Sequence, residues 1–376
     1  MTASAAVSNA AVTVFIDPPT RRFEGDGLFD VAAAPVSGDG ILEVYAHLRR
    51  RLAERGIATH TGDLLASGGV EPNERNLYVT MGVRNRYRQL AERDDVVLSA
   101  FFVPECPIAD PLLYEELYDA SSAFKRMYSF STGEALRPFT RGPIEFRPFR
   151  YPYPFDAVHG EAWARRDRGF LVMINGNKVP PLKTDELYTE RLRAVAYFGE
   201  RDEIDLYGVG WDGPPFRIGR TRMPGTIQLL EYRAEKVLDR LRPDPLLAAA
   251  RRVYRGPVPV KSEVLSRYTF AICFENQILE GWVTEKIFDC LAAGAVPVYL
   301  GAPDIERWVA PDCFVDMRRF SGYDELRAYL HDLSPAEVDE YREAGREYFA
   351  SEQFRPFGKE AFAEIFGGIV DEDAAG

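Results

Sequence analysis

The stretch Tyr268–Gly301 reads YTFAICFENQILEGWVTEKIFDCLAAGAVPVYLG. Its first seven residues, Tyr268–Phe274, are aromatic, β-branched or small and apolar, enough for one buried strand and too few for a helix. Glu275 and Asn276 follow at once, so two polar side chains stand at the strand's carboxyl end, where ligands sit in open α/β sheets. A loop leads to Thr284, which opens a helix with Glu285 and Lys286 in its first turn, and Gly294 ends that helix. Val296–Leu300 then reads as a second buried strand. Strand, helix, strand over this length is one βαβ unit and predicts a parallel sheet. A cation in the first turn opposes the helix dipole by roughly 0.3–1 kcal/mol at an exposed site. Lys286 therefore stands where a bound anion would favour it, because the unpaired N–H groups of a helix start already attract negative charge. On pattern alone, solvated residues at a helix start explain the pair equally well.

The same alternation extends in both directions. Towards the N-terminus, Phe170–Ile174 predicts a strand, Leu187–Tyr197 a helix, Ile204–Tyr207 a strand followed by the turn GVGW, and Thr226–Leu241 a helix. Before these, Val12–Ile16, Ile57–Thr61, Leu77–Met81 and Val96–Val103 read as strands, with helices at Ile41–Arg55 and Asn85–Arg93. From Gly133 to Pro154 the text turns to Pro, Arg and aromatics, ending in RPFRYPYPFD, which reads as loop or linker. Towards the C-terminus, Lys359–Phe366 predicts a helix that follows a Pro-Phe-Gly break and stops at Gly367-Gly368. Two doubly wound, Rossmann-like α/β domains follow, over residues 1–160 and 161–350. The last segment, 351–376, is expected to be a helix packing back toward the first domain.

Composition bounds the function. The 376 residues suffice for two cores of ordinary size, and 46% apolar with 28% charged residues describes a folded chain. A net charge of −12 repels phosphate backbones and anionic lipid in general, so nucleic acid is not an expected partner. The first residues lack a basic and apolar leader, and no run of about 18 uncharged apolar residues occurs, so the expectation is a cytoplasmic chain with no membrane span and at most peripheral membrane association. The four cysteines, Cys106, Cys273, Cys290 and Cys313, are widely spaced and read as reduced thiols. No histidine has metal-ligand spacing, and no metal is expected. His47, His60, His159 and His331 suggest no partners. The D-x-D at Asp371–Asp373 reads as solvated tail charge, and Lys125 and Arg126 as a solvated face.

Phe274-Glu275-Asn276-Gln277, then Trp282-Val283-Thr284-Glu285-Lys286, then Gly294-Ala295-Val296-Pro297-Val298 and Gly301 resemble, in order and spacing, the signature of the α-1,3/4-fucosyltransferases, glycosyltransferase family 10, in a bacterial-type member. IDLYGVGW (Ile204–Trp211) and KSEVLSRYTFAI (Lys261–Ile272) stand upstream in the family's order, and the resemblance is strong over about Phe170–Phe320 and faint before it. The resemblance implies the GT-B fold, two Rossmann-like doubly wound domains facing across a cleft. It implies an inverting, metal-independent glycosyltransferase that takes a sugar from a nucleotide-sugar donor, GDP-fucose by default, with no cofactor. By the same resemblance Lys286 and Arg191 bind the donor pyrophosphate, while Glu285, Asn276, Trp282 and Glu275 line the donor site. Arg and Lys at a helix start can stabilise a departing nucleoside diphosphate without a metal.

Inversion by single displacement needs a carboxylate beside the acceptor hydroxyl. Glu105 in FFVPECPIADP directly follows the strand Val96–Val103 and occupies the place of the family's base; Asp110 is the fallback, and an exposed loop carboxylate is the plain alternative. Lys178 in NGNKVPP reads either as a third phosphate cation or as an exposed loop lysine. The aromatics of RPFRYPYPF suit either a sugar acceptor or an interdomain joint. Gln277 stands where the family has Ser and Trp282 where it has Tyr, so another nucleotide sugar, such as a heptose or another deoxy sugar, is the alternative donor. An inactive relative that binds nucleotide or glycan is the alternative from another class. The acceptor classes open are a lipopolysaccharide or O-antigen glycan, an exopolysaccharide unit, or a small glycoside.

Overall fold

The computed structural model describes residues 12–33, 40–82, 86–131, 133, 135–181, 183–218, 224–242 and 244–374. The chain divides into two compact units, the first comprising Met1–Glu105, Leu112–Phe155 and Arg355–Gly376, the second Cys106–Pro111 and Asp156–Phe354.

In the first unit the elements run β1 (Val12–Asp17), α1 (Ile41–Glu54), β2 (Ala58–Thr61), α2 (Gly62–Ser67), β3 (Arg75–Thr80), α3 (Arg86–Leu90), β4 (Val96–Val103), α4 (Pro111–Ala123), β5 (Arg126–Ser129) and β6 (Glu145–Pro148). Among the described residues they build a six-stranded parallel sheet in the order β2-β1-β3-β4-β5-β6. Side chains alternate across a strand, and both faces are covered. Val14 and Ile16 of β1 and Phe102 of β4 face one core with Leu48 of α1. Phe15 and Phe101, one position along, face the other with Leu113 and Leu117 of α4. This is why the strands read as continuous apolar runs.

The second unit continues with α5 (Gly160–Ala164), β7 (Gly169–Ile174), β8 (Lys178–Val179), α6 (Tyr188–Gly199), β9 (Ile204–Tyr207), β10 (Phe216–Arg217), α7 (Gly225–Leu241), α8 (Pro245–Arg252), β11 (Tyr254–Gly256), α9 (Lys261–Leu265), β12 (Tyr268–Phe274), α10 (Glu285–Ala293), β13 (Val296–Leu300), β14 (Val315–Asp316), α11 (Tyr323–Asp332) and α12 (Pro335–Tyr348). Its sheet, also six-stranded among the described residues and wholly parallel, has the order β11-β9-β7-β12-β13-β14. A final helix, α13 (Lys359–Asp373), belongs to the first unit. Among the described residues no helix is long and apolar enough to cross a membrane.

Several expectations fail. The C-terminal helix does not stop at Gly367-Gly368 but runs to Asp373. Two helical glycines cost about 1 kcal/mol each, while burying Ile369 and Val370 beside Phe362 and Phe366 returns roughly 1.5–3 kcal/mol apiece. Asp373 is not tail charge either. It is 1% exposed and accepts hydrogen bonds from Arg126 Nη1 and Nη2 and from Lys125 Nζ, all at 2.9 Å. Arg126 correspondingly lies buried in β5, not on a solvated face. Within the proline-rich stretch, Glu145–Pro148 pairs with β5 as an edge strand, a sheet position that tolerates proline. Of the histidines, His47 meets Glu360 at 2.8 Å, His60 meets Asp26 at 2.9 Å and His331 meets Glu203 at 3.1 Å. Asn85, the first residue of the predicted Asn85–Arg93 helix, lies outside the described residues.

Removing one partner of a buried ion pair leaves the other charge enclosed, at a cost of about 3–5 kcal/mol. Asp373→Ala should therefore destabilise the protein on that scale in urea unfolding. A loss below roughly 1 kcal/mol would show that the Arg126–Asp373 pair behaves like a surface contact.

Candidate functional site

The chain leaves β7 in two directions: through β9 and β11 on one side of the sheet, and later through β12, β13 and β14 on the other. The order thus reverses between β7 and β12, and in open α/β sheets ligands bind outside the carboxyl ends of the strands at such a point. Two side chains meet there. Arg191, on α6 after β7, is buried and donates to Asn276 Oδ1 through Nη2 at 3.0 Å. It also donates to the Phe274 carbonyl through Nε at 3.2 Å and Nη2 at 2.6 Å. The ring of Tyr188 lies 4.8 Å from the guanidinium. Two residues along the helix, Arg193 points outward to Glu190 at 2.9 Å, as a 3.6-residue turn requires.

Backbone hydrogen bonds fix the two loops to each other. Leu187 N donates to Asn276 O at 3.0 Å, and Ile278 N to Asp185 O at 2.8 Å. Asp185 holds a left-handed backbone at φ 54°, a conformation costing a non-glycine residue of order 1 kcal/mol and typical of sites where surroundings dictate the geometry.

Glu275, the first residue after β12, is 0% exposed. Its carboxylate accepts hydrogen bonds from Thr284 N at 3.0 Å, from Thr284 Oγ1 at 2.9 Å and from Lys286 Nζ at 2.9 Å. Lys286 Nζ also donates to Thr284 Oγ1 at 2.8 Å. The Thr284 hydroxyl, engaged in this way, makes no cap to the helix it precedes. Gly301 makes room for the carboxylate, since a Cβ there would come within 2.6 Å of Glu275 Cγ. At the other end of α10, Gly294 takes the left-handed conformation, φ 71°, that closes the helix before β13.

Burial opposes the Lys286 ammonium, but the Glu275 and Glu285 carboxylates outweigh it and hold its pKa above the usual value; Arg191 acts on it repulsively. Burial likewise opposes ionisation of Glu285, yet Lys286 and then Lys261 bring its pKa down to about 2. Burial pushes the Arg191 pKa down, partly countered by Tyr188 and Glu275. The arrangement is a pair of mutually repelling cations beside a helix start, with one carboxylate enclosed beneath.

Of the residues singled out in the sequence, Arg191 with Asn276, and Glu275 with Lys286, stand in direct contact. Glu275 is enclosed, its oxygens taken by Thr284 and Lys286. Trp282 is buried in the loop ahead of α10. Glu105 ends the first stretch of the other unit, two residues past β4, and its carbonyl accepts from Tyr114 Oη at 2.9 Å. Lys178 sits exposed on β8. Sequence reading missed Lys261, which reaches Asp289 at 2.8 Å and Glu285 at 3.8 Å. The signal was present: Glu285 and Asp289 are four apart on one helix and share a face. Among the described residues no group of three His, Cys, Asp or Glu could hold a metal ion.

Residues 251–356 match glycosyltransferase family 10 (fucosyltransferase), C-terminal domain. An α-(1,4)-fucosyltransferase of Arabidopsis thaliana is 38% identical over 79 residues, 20% of each chain. The α-(1,3)-fucosyltransferase FucT of Helicobacter pylori is 40% identical over 70 residues, 19% of this chain and 15% of that one. The matched stretch thus spans a fifth or less of these relatives. An α-glucosyltransferase solved with UDP and a mismatched DNA superposes over 96% of this chain and 99% of its own, with a TM-score of 0.52 at 11% identity. That likeness bears on the fold alone, which is GT-B.

Glu285 has its pKa depressed by folding from 4.5 to about 2. Its contribution to stability is then complete above pH 4.5 and fades as pH falls toward 2. Unfolding midpoints measured across that range should show wild type and Glu285→Gln differing most above pH 4.5 and converging in acid. A difference that does not change with pH would remove the electrostatic account.

Proposed function

We propose that the chain is an inverting glycosyltransferase that moves a sugar from a nucleotide-sugar donor, GDP-fucose by default, to a glycan or glycoside hydroxyl, a reading supported by the match of residues 251–356 to the C-terminal domain of the glycosyltransferase family 10 fucosyltransferases. The observation that carries this reading is the pair Arg191 and Lys286 at the switch point of the second sheet. Two like charges held in reach of each other repel, and one bound diphosphate relieves both. The cations stabilise the negative charge that develops on the departing nucleoside diphosphate, so the reading calls for no metal. Glu275 balances Lys286 and, with Thr284, fixes the ammonium's position. Asn276 holds the Arg191 guanidinium from one side, and Glu285 offers acceptor oxygens at the helix start.

Glu105 is proposed as the general base. Its support is its place just beyond the carboxyl end of β4 and its match to the family's base, and its role is to take the acceptor hydroxyl's proton as the glycosidic bond forms and the donor bond breaks.

A second donor reading rests on a specific observation. Gln277 stands in place of serine, and its Oε1 is buried without a hydrogen-bond partner among the described residues. A buried acceptor left open calls for a donor group, so a sugar other than fucose that places a hydroxyl there is the alternative.

Lys286→Ala should weaken GDP-fucose binding by about 1–3 kcal/mol, the scale of a lost charge-assisted hydrogen bond. Calorimetric titration checks this, and unchanged affinity counts against the donor site. With donor saturating, Glu105→Gln should lower glycosyl transfer by roughly 100-fold while donor affinity holds, and EDTA should change neither. Transfer at the wild-type rate would pass the role of base to Asp110. Release of nucleoside diphosphate from a panel of nucleotide sugars decides the donor, and silence across the panel would favour an inactive binding relative.

A further inference from the structure

Lys261 opens α9, the short helix that lies against α10 and is held down by the buried side chains of Val264 and Leu265. Its ammonium reaches two carboxylates of α10, Asp289 Oδ2 at 2.8 Å and Glu285 Oε1 at 3.8 Å. The two contacts differ in kind. Asp289 is 7% exposed and accepts a hydrogen bond from Lys261 Nζ, so separating that pair would leave an enclosed charge. Glu285 keeps 37% of its side chain exposed, and at 3.8 Å its contact is Coulombic rather than a hydrogen bond. Asp289 thus fixes where the ammonium stands, and from there the ammonium acts on Glu285.

The helix sets the direction of that action. Glu285 and Asp289 are one turn apart on α10 and face α9 together. Lys286, one residue on, is turned away by about 100°, and its ammonium donates to Glu275 at 2.9 Å. Glu285 is therefore drawn by two cations at once. Lys286 is its chain neighbour, while Lys261 comes from another element, and both favour the ionised carboxylate. A glutamate this exposed turns freely about its side-chain bonds. With Lys261 removed, the strongest attraction left to it is Lys286, and its carboxylate would fold onto the ammonium that a donor diphosphate needs.

We propose that Lys261 is a positioning residue: anchored on Asp289, it holds the Glu285 carboxylate off Lys286 and so leaves the Lys286 charge to the diphosphate of the nucleotide sugar. The inference rests on the donor reading of this site. Lys261 acts through Glu285 and not on the donor.

The test is a double-mutant cycle read by calorimetric titration of the full chain with GDP-fucose, with Lys286→Ala as the control for the donor site. Lys261→Met should weaken binding about tenfold when Glu285 is present, and by less than about twofold in the Glu285→Gln background, where no carboxylate remains to cover Lys286. Lys261→Arg, which keeps the charge, should recover most of the affinity. Methionine at this position leaves Asp289 enclosed without the Lys261 ammonium, so Lys261→Met with Asp289→Leu is measured beside it. Removing both partners of a buried pair is close to neutral for stability, and the same loss of affinity is expected. Equal weakening in both backgrounds shows a structural role alone and overturns the proposal, as does wild-type affinity in the paired variant. If Lys286→Ala weakens binding and Lys261→Met does not, this inference falls and the donor reading stands. If the wild-type chain does not bind GDP-fucose, or Lys286→Ala binds it equally well, the two fall together.

Discussion

A carboxylate enclosed with no exposed surface must find enough positive charge and hydrogen bonds to offset its lost hydration, which in a protein interior costs several kcal/mol. Glu275 meets that demand with the Lys286 ammonium, the Thr284 hydroxyl and the Thr284 amide. Much of the second unit's geometry follows. The strand must end at Phe274 so that Glu275 can turn inward, the helix must begin just after Thr284, and the residue after β13 must be glycine to leave the space. The sequence F-E-N, T-E-K and the last glycine of G-A-V-P-V-Y-L-G are three parts of one electrostatic enclosure.

The same enclosure explains how a lysine can occupy the first turn of a helix. Its charge is not waiting on a ligand alone; it is already paired from beneath, while Arg191 presses on it from the side. Lys286 is thus held by Glu275 on one side and repelled by Arg191 on another. Lys261, bridging toward Glu285 and Asp289, adds a further cation to that balance.

How much of this could be read beforehand depended on the range of the interaction. Strands such as Val96–Val103, Ile204–Tyr207 and Tyr268–Phe274 have the predicted bounds because their apolar runs are local and both sheet faces are buried. Arg191 and Lys286 could be named from the resemblance, and on α6 Arg191 is buried while Arg193 turns outward to Glu190. What escaped was long-range. Nothing near Asp373 announces that Arg126 lies against it, some 247 residues earlier, and without that contact a D-x-D after two glycines reads as a frayed tail. The enclosure of Glu275 was illegible for the same reason: its partners, nine and eleven residues on, follow a loop whose path the sequence does not state.

That long-range closure sets the order in which the protein can be made. The helix at Lys359–Asp373 supplies Phe362, Phe366, Ile369 and Val370 to the core built on Val14, Ile16 and Phe102. On the ribosome the segments up to Phe155 emerge first, yet one face of their sheet, partly covered by α1, stays incomplete until Lys359–Asp373 has been made. The second unit, contiguous apart from Cys106–Pro111, can close earlier. The sheet translated first is the one completed last, and during that interval its apolar face is open to chaperones, to wrong partners and to any stop that precedes α13.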